Sequence, residues 1–576
     1  MKKYIILLLA TTFLLGTSVS SCTNFLEEKP ESEFDEGTFY KTVESLKVGA
    51  VGAFSTLRYM YNVGTNTPLF VGMVGTDECM YPNETNLRGF IDRYTYTPTD
   101  GCIKQFWFRY YRLITACNTV IYKAQGIEGD AKLINRYVAN VRFLRAWGYF
   151  NLVQTFGAVP LMTDHVTELT YDMGRTPVAE VYQLIEDDLL FCLGEDVLPK
   201  EIDGGWANYW AAKTLLAKVY ITMASARAAD RVAGYEQIEQ TDEKLYGDAL
   251  ALLQDVITNS GRDLEPVYGD VFKIENKNIN KETIWEIQFS AQNPYGSQWP
   301  KEYGARAINT DGQKLYGGWR TNAIAGQCNL KYVPSFWNYY DANGYDKRRE
   351  WNLADYVIDF DKTNNSPIAQ KPMTELSGKP QPGDNAKSVT NSGVTKYRWG
   401  ATWKDEHTNF VYSNCPNNIL VLRFADVLLM YAEADLMLNN GSPSDEGVEA
   451  MNRIVQRARG LNQGVAVTED DTPGFGNYDT YTLEDVLLER ARELCFERWR
   501  WYDLARTGML EHFLENRNGF STTKTSFDSD KNYLFPIPLS EIQISTNKDG
   551  MYQNPNYLWD GNYASFCFNK TGYCRT

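Results

Sequence analysis

Histidine is scarce in this chain: His165, His407 and His512 are the three among 576 residues, and they lie far apart in sequence. That argues against a His-rich metal site and against an enzyme built on clustered histidines. Basic charge is in deficit, with 57 Lys+Arg against 73 Asp+Glu and a formal charge of −16. Neutralising phosphates needs a basic surface, so nucleic-acid binding is disfavoured. No pair of the ten cysteines has CxxC spacing, which removes zinc-ribbon and thioredoxin-like readings. Past the N-terminus no run approaches about 18 consecutive apolar residues, the length a spanning helix needs. Motifs of the GxSxG, HExxH, P-loop and strand–helix GxGxxG kinds are missing too.

What the chain does contain is ordinary globular composition, 43% hydrophobic and 23% charged, with 14% aromatics: 38 Tyr, 27 Phe and 14 Trp. At about 150 residues per domain its length has room for three or four domains. Lys2 and Lys3, the apolar run Tyr4 to Leu15 and the small residues Gly16 to Ser21 read as an export signal ending at Cys22. The placement of Cys22 resembles a bacterial lipoprotein signal, with Val19 and Ser21 where Leu and Gly or Ala are usual. Residues 1–21 are thus expected to be a signal peptide, and 22–43 a polar, acidic tether lipidated at Cys22. Of the remaining cysteines, Cys117, Cys192 and Cys495 sit in apolar helical runs and read as buried thiols. Cys567 and Cys574 are near enough in sequence to form a disulfide.

Apolar residues recur at helical spacing over Glu44–Met60, Trp107–Ala124, Ile134–Phe156, Val178–Leu193, Trp206–Ala224 and Asp242–Asn259. The third of these stops at Gly157, with Pro160 just beyond. Small and large residues alternate, as in Ala211 to Tyr220, which suits closely packed helix pairs of the tetratricopeptide kind. No clean 34-residue period is visible, so any repeats are degenerate. From Leu264 to Pro416 Gly, Asn, Pro, Tyr and Trp become frequent, helical periodicity fades, and Ile284–Phe289 reads as a strand. Helices are expected again over Ile419–Leu438, Val448–Arg459 and Leu483–Leu510. The expected class is mainly α: a helical part over 44–263, a loop-rich ligand-binding insertion over 264–416 with a few short strands, returning helices over 417–510 packed on the first part, and an irregular segment over 511–576.

Several segments carry a family resemblance. Arg142-Phe-Leu-Arg-Ala-Trp-Gly-Tyr-Phe-Asn-Leu-Val-Gln-Thr-Phe-Gly-Ala-Val-Pro-Leu161 resembles an early helix signature of the SusD/RagB family. Leu422-Arg-Phe-Ala-Asp-Val-Leu-Leu-Met-Tyr-Ala-Glu-Ala434 and the following Met451 to Leu461 resemble later ones. Glu489-Arg-Ala-Arg-Glu-Leu-Cys-Phe-Glu-Arg-Trp-Arg-Trp-Tyr-Asp-Leu-Ala-Arg-Thr-Gly508 follows, and Leu534 to Ile542 with Gln553-Asn-Pro-Asn556 is similar to the family's closing segment. Order and spacing agree along nearly the whole chain; Arg498-Trp499 departs, standing where the family usually has Gly-His. The resemblance implies a tetratricopeptide-like scaffold with an irregular binding face. It also implies an outer-membrane, surface-exposed, non-catalytic lipoprotein that passes glycan, or in some members peptide, to a partner SusC-like TonB-dependent transporter. Glu27 and Glu28 behind Cys22 accord with surface export. The other reading carried is a peptide- or protein-binding lid that gates such a transporter.

A neutral oligosaccharide offers hydroxyls and apolar C–H faces, so its site needs flat aromatics with Asn, Asp and Arg hydrogen-bonding groups. Tyr295, Trp299, Tyr303, Tyr316 and Trp319, interleaved with Asn293, Gln298, Arg306, Asn309 and Arg320, are the main candidates because loops can point such rings outward. Asp77, Glu78, Tyr81, Asn83 and Asn86 form a second group. Trp107, Trp147, Trp499 and Trp501 lie on helical faces and are expected in the core. The Glu489, Glu493, Glu497 row could suggest glycosidase carboxylates, but the arginines around it point to a structural ion network. No cofactor is expected. Asp341–Asp346 only faintly resembles a calcium loop, and a structural calcium elsewhere stays open.

Overall fold

The computed structural model describes residues 39–61, 68–81, 87–166, 170–290, 292, 295–303, 307–309, 330–340, 346–353, 356–361, 366–372, 394–397, 415–460, 477–518 and 524–557. The signal peptide, Cys22, Glu27, Glu28 and the Cys567–Cys574 pair lie outside the described residues.

Polar caps start the first helices. Thr42 accepts the Ser45 N–H at 3.2 Å while Ser45 Oγ accepts the Thr42 N–H, opening α1 (Val43–Met60) with a capping box. A short two-residue strand, β1 (Cys79–Met80), and α2 (Leu87–Arg93) follow. Asp100 and Asp130 cap α3 (Gly101–Ala124) and α4 (Ala131–Phe156). Helix α4 stops at Gly157, whose φ of 72° and close approach to Leu534 suit glycine. Helices α5 (Val178–Cys192), α6 (Tyr209–Ala229) and α7 (Asp242–Asn259) complete the first stack. Each packs on the next: α3 on α4, α4 on α5, α5 on α6 and α6 on α7, with α1 against α3 and α4. That nearest-neighbour succession is tetratricopeptide-like.

The chain then enters irregular structure through β2 (Thr283–Ile287), α8 (Trp299–Tyr303), β3 (Ala307–Asn309), β4 (Lys331–Tyr332), α9 (Arg348–Asn352), β5 (Tyr356–Asp361) and β6 (Ser366–Pro372). It returns through β7 (Ile419–Arg423), antiparallel to β2 with Glu286 opposite Leu420 and Trp285 opposite Leu422. Ser297 and Cys415 exchange backbone hydrogen bonds of 2.7 and 2.9 Å, so the outgoing and returning strands are joined at a neck. Beyond it, α10 (Phe424–Leu438) packs on α7 as the next helix of the stack. Helix α11 (Asp445–Ala458), α12 (Leu483–Leu494), α13 (Arg500–Arg506), α14 (Leu510–Asn518) and α15 (Leu539–Ile544) follow.

Two expectations are corrected here. Ile419–Leu438 is not one helix. Its first five residues are strand β7, because β2 takes their backbone hydrogen bonds and both faces are buried. Leu483–Leu510 is three segments, not one. Phe496 and Arg498 adopt left-handed φ of 62° and 72°, and the polar groups this frees are capped by buried side chains. The Phe496 N–H reaches Glu78 Oε1 at 3.0 Å, and Lys396 Nζ donates to the carbonyls of Glu493 and Cys495, each at 2.9 Å.

An ionic frame holds these pieces together. Arg423 donates to Glu282 (2.9 Å), Glu493 (2.7 Å) and Glu497 (2.9 Å), and Arg457 bonds both Glu282 and Glu493. Arg348 reaches Asp346, Glu489 and Glu493, which ties α9 to α12. A second set links Lys218 of α6 and Arg490 to Asp426, and Arg506 to Asp503 and Glu433. The carboxylate row Glu489, Glu493, Glu497 is therefore structural, as expected. Its main partners are nevertheless Arg348, Arg423, Arg457 and Lys396 rather than the sequence neighbours, of which only Arg492 joins it, on Glu489. Trp107, Trp147, Trp499 and Trp501 are buried. Cys117, Cys192 and Cys495 are buried free thiols.

Candidate ligand-binding face

Of the residues expected to meet ligand, Tyr295 alone is both described in full and exposed. A tight turn presents it: the Tyr295 N–H donates to the Gln292 carbonyl at 2.6 Å, and its own carbonyl accepts the Ser290 N–H at 3.0 Å. Its ring is 53% exposed, and the Arg58 guanidinium lies 4.9 Å from the ring centroid.

Other expectations are corrected. Trp299 is 1% exposed, wedged between Tyr61 (5.5 Å) and Tyr397 (5.6 Å), so it offers no face to a sugar. Asp77 is fully buried; Arg500 donates to both its oxygens at 2.8 and 2.6 Å, and the Tyr339 hydroxyl donates at 2.7 Å. Glu78 is buried beside it. Burial pushes its carboxyl up to about 8, against the pull of the Phe496 N–H and the Arg500 charge. Tyr81 is also buried, packed edge-on to Phe70 under Arg88. These side chains fasten the segment after α1 to the ionic frame. Tyr303 belongs to α8 but its side chain lies outside the described residues, as do Asn83, Asn86, Asn293, Arg306, Tyr316, Trp319 and Arg320 altogether.

Beside Tyr295 the structure assembles side chains that sequence reasoning left in helices. Tyr59, in the last turn of α1, is 39% exposed, and Phe108 on α3 is 55% exposed. The guanidinium carbons of Arg58 and Arg112 each lie 5.4 Å from the Tyr59 ring centroid. Phe108 sits one turn before Arg112 on the same helix face, with Arg109 between them bonded to Gln105 at 3.3 Å. Partial burial, and then the Arg112 charge, hold the Arg109 guanidinium below its usual range. The available signal was that Tyr59 and Phe108 fall off the apolar stripes Leu46, Ala50, Ala53, Leu57 and Phe106, Tyr110, Leu113, Cys117. Among the described residues no group of three or more His, Cys, Asp or Glu side chains is placed to hold a metal. No described helix is long and apolar enough to cross a membrane.

The fold defines a helical-repeat scaffold, interrupted once by an irregular excursion and closed by a buried ionic frame. Comparison with known proteins resolves which one. A family model described as the SusD family matches residues 281–557, and one described as starch-binding associating with outer membrane matches 24–221. A SusD-like protein of Bacteroides ovatus is 27% identical over 91% of this chain and 87% of its own length. A solved SusD homolog from Bacteroides thetaiotaomicron superposes with a TM-score of 0.72 at 23% identity, covering 90% of this chain and 98% of that one. A laminarin-binding SusD-like protein gives 0.67 at 23% identity, over 90% and 100%. The chain is a SusD-like protein.

Proposed function

We propose that this protein binds oligo- or polysaccharide at the cell surface and delivers it, without catalysis, to a partner SusC-like TonB-dependent transporter, anchored in the outer membrane by lipid on Cys22. The observation that carries the binding reading is the face of exposed Tyr59, Phe108 and Tyr295, in which the Tyr59 and Tyr295 rings stand beside guanidinium groups that can hydrogen-bond hydroxyls and Phe108 lies one turn before Arg112. The family description and the laminarin-binding neighbour support it. Each stacked ring contributes about 0.5–1.5 kcal/mol, borrowing the aromatic-pair figure, so three rings give about millimolar capture at best. Hydrogen bonds and tethering beside a pore add to that. Weak capture suits a receptor that must release its cargo.

The test is calorimetric titration against a panel of plant, microbial and host polysaccharides. Binding to at least one polymer, weakened about threefold to tenfold by Tyr295→Ala with unchanged thermal unfolding, is expected. Silence across the panel would contradict the reading. Delivery is checked separately by recovering a TonB-dependent barrel with the tagged protein from detergent-solubilised outer membrane. A protein recovered alone contradicts the partnership.

A further inference from the structure

We infer that the face built from Arg58, Tyr59, Phe108, Arg109, Arg112 and Tyr295 selects acidic glycan, bearing carboxylate or sulfate, over neutral glycan. This rests on the reading of the face as glycan-binding and names its ligand class. Three guanidinium groups gather there, and none forms an ion pair among the described residues. Several of the scaffold's other arginines are charge-matched: Arg145 is bidentate on Asp188 at 2.7 and 2.8 Å, and Arg423, Arg457 and Arg506 all sit on carboxylates, whereas Arg175 and Arg498 bond backbone carbonyls instead.

Unmatched cations are conspicuous in a chain of net charge −16. Arg58 and Arg112 share one ring, so their charges lie within about 11 Å of each other, close to a Debye length. Among the described residues no carboxylate pairs with either of them, and partial burial together with the Arg112 charge holds the Arg109 guanidinium low beside them. An anion seated between them relieves their mutual repulsion. Guanidinium is also the side chain best matched to carboxylate and sulfate oxygens, because its planar fork donates two parallel hydrogen bonds. The exposed rings of Tyr59, Phe108 and Tyr295 provide flat surfaces for the sugar's C–H faces alongside those forks. Aromatic rings alone would serve a neutral chain. Aromatic rings alternating with unpaired arginines fit a charged one. The long-range field of an acidic protein repels such a polymer, so attraction has to come from a local cationic face of this kind.

The experiment titrates the full-length protein in detergent with oligogalacturonate, chondroitin sulfate oligosaccharide, maltohexaose and laminarihexaose, at low and high NaCl. The expected result is tighter binding of an acidic probe, weakened by salt, and weakened about tenfold or more by the Arg58→Gln/Arg112→Gln double variant. Arg112→Lys should keep part of the salt-sensitive affinity while losing the bidentate share. Oligogalacturonate and chondroitin sulfate distinguish carboxylate from sulfate as the recognised group. Neutral probes bound as tightly as acidic ones, or acidic binding untouched by the double variant, would overturn the inference and leave the glycan reading standing. No binding to any of the four, together with silence across the wider panel, would remove the glycan reading itself. Preferential binding to vesicles containing anionic phospholipid, lost in the same double variant, would reassign the face to membrane phosphate and overturn the inference too.

Discussion

The α3–α7 stack and the ionic frame around α12 solve the same problem by opposite means. In the stack, Phe143, Leu144, Phe150, Leu152 and Val153 are fully buried, and neighbouring helices meet mainly through apolar side chains around the Arg145–Asp188 pair. There burial of apolar area is non-directional, and the helices need only present a stripe. In the frame, strand ends, a one-turn helix and a broken helix converge from distant parts of the sequence. Arg348, Arg423 and Arg457 are nearly or fully buried with the carboxylates of Glu282, Glu489 and Glu493. Irregular segments expose backbone carbonyls and N–H groups that apolar packing cannot satisfy, whereas long charged side chains reach them. Arg423 and Lys396 both donate to the Glu493 carbonyl, at 2.7 and 2.9 Å, and Lys396 also takes the Cys495 carbonyl at 2.9 Å. Directional bonds hold what has no repeat to hold it.

The comparison is broken most severely by Arg423→Ala. It strands Glu282, Glu493 and Glu497 as buried charges that lose a partner, at a cost of about 3–5 kcal/mol measured by denaturant unfolding. Leu152→Ala in the stack should cost about 2–5 kcal/mol by leaving a cavity, without changing the acid sensitivity of folding. Trp299→Ala should cost a comparable 3–5 kcal/mol, because the ring packs between Tyr61 and Tyr397.

Titration sharpens the contrast. For Glu493, burial alone would raise the carboxyl, but Arg457, Arg423 and Arg348 outweigh it and hold it low; Glu489, Asp426 and Asp503 are held low in the same way. Their stabilisation is present above the unfolded-state values near about 4 and is lost as pH falls through the lower folded values. Glu78 runs the other way. Its carboxyl is raised by burial to about 8, so its stabilisation is full below its ordinary value of 4.5 and is lost as pH rises through about 8. The free energy of unfolding, measured from pH 2 to 9, should therefore rise through the acid range. Above it the stability should then decline, and Glu78→Gln should flatten the decline while leaving the acid limb unchanged.

The smallest effect concerns residue 498. Its φ of 72° is one that glycine adopts freely, and Arg498 bears the strain there while donating to the Val71 carbonyl at 3.3 Å and the Tyr110 hydroxyl at 3.2 Å. Arg498→Gly should be less destabilising than Arg498→Ala by about 1 kcal/mol, since both lose the guanidinium and only glycine relieves the backbone. Equal losses would mean that the left-handed turn carries no strain.

Most helices were legible in the sequence because their apolar residues keep a 3.6-residue period, as in α7, whose observed limits Asp242–Asn259 match the expectation. What failed shares a cause: local pattern does not record tertiary competition. Ile-Leu-Val-Leu before Arg423 suits a buried strand or helix equally, and only pairing with β2 decides. The break after Leu494 is set by Glu78 and Lys396, hundreds and about a hundred residues away in sequence. The face suffered in the same manner. A loop position does not by itself bring exposure, for Trp299 and Asp77 are anchors, while Tyr59 and Phe108 project from helix faces left partly exposed among the described residues. Among the described candidates, Tyr295 is the one that is both on a loop and exposed.

The most direct measurement compares two variants by calorimetry with a bound glycan, alongside thermal unfolding. On this account, Tyr59→Ala/Tyr295→Ala loses affinity at unchanged melting temperature, whereas Trp299→Ala lowers the melting temperature and keeps its affinity per folded molecule. The reverse pattern, with affinity lost at Trp299 and kept without Tyr59 and Tyr295, would contradict it.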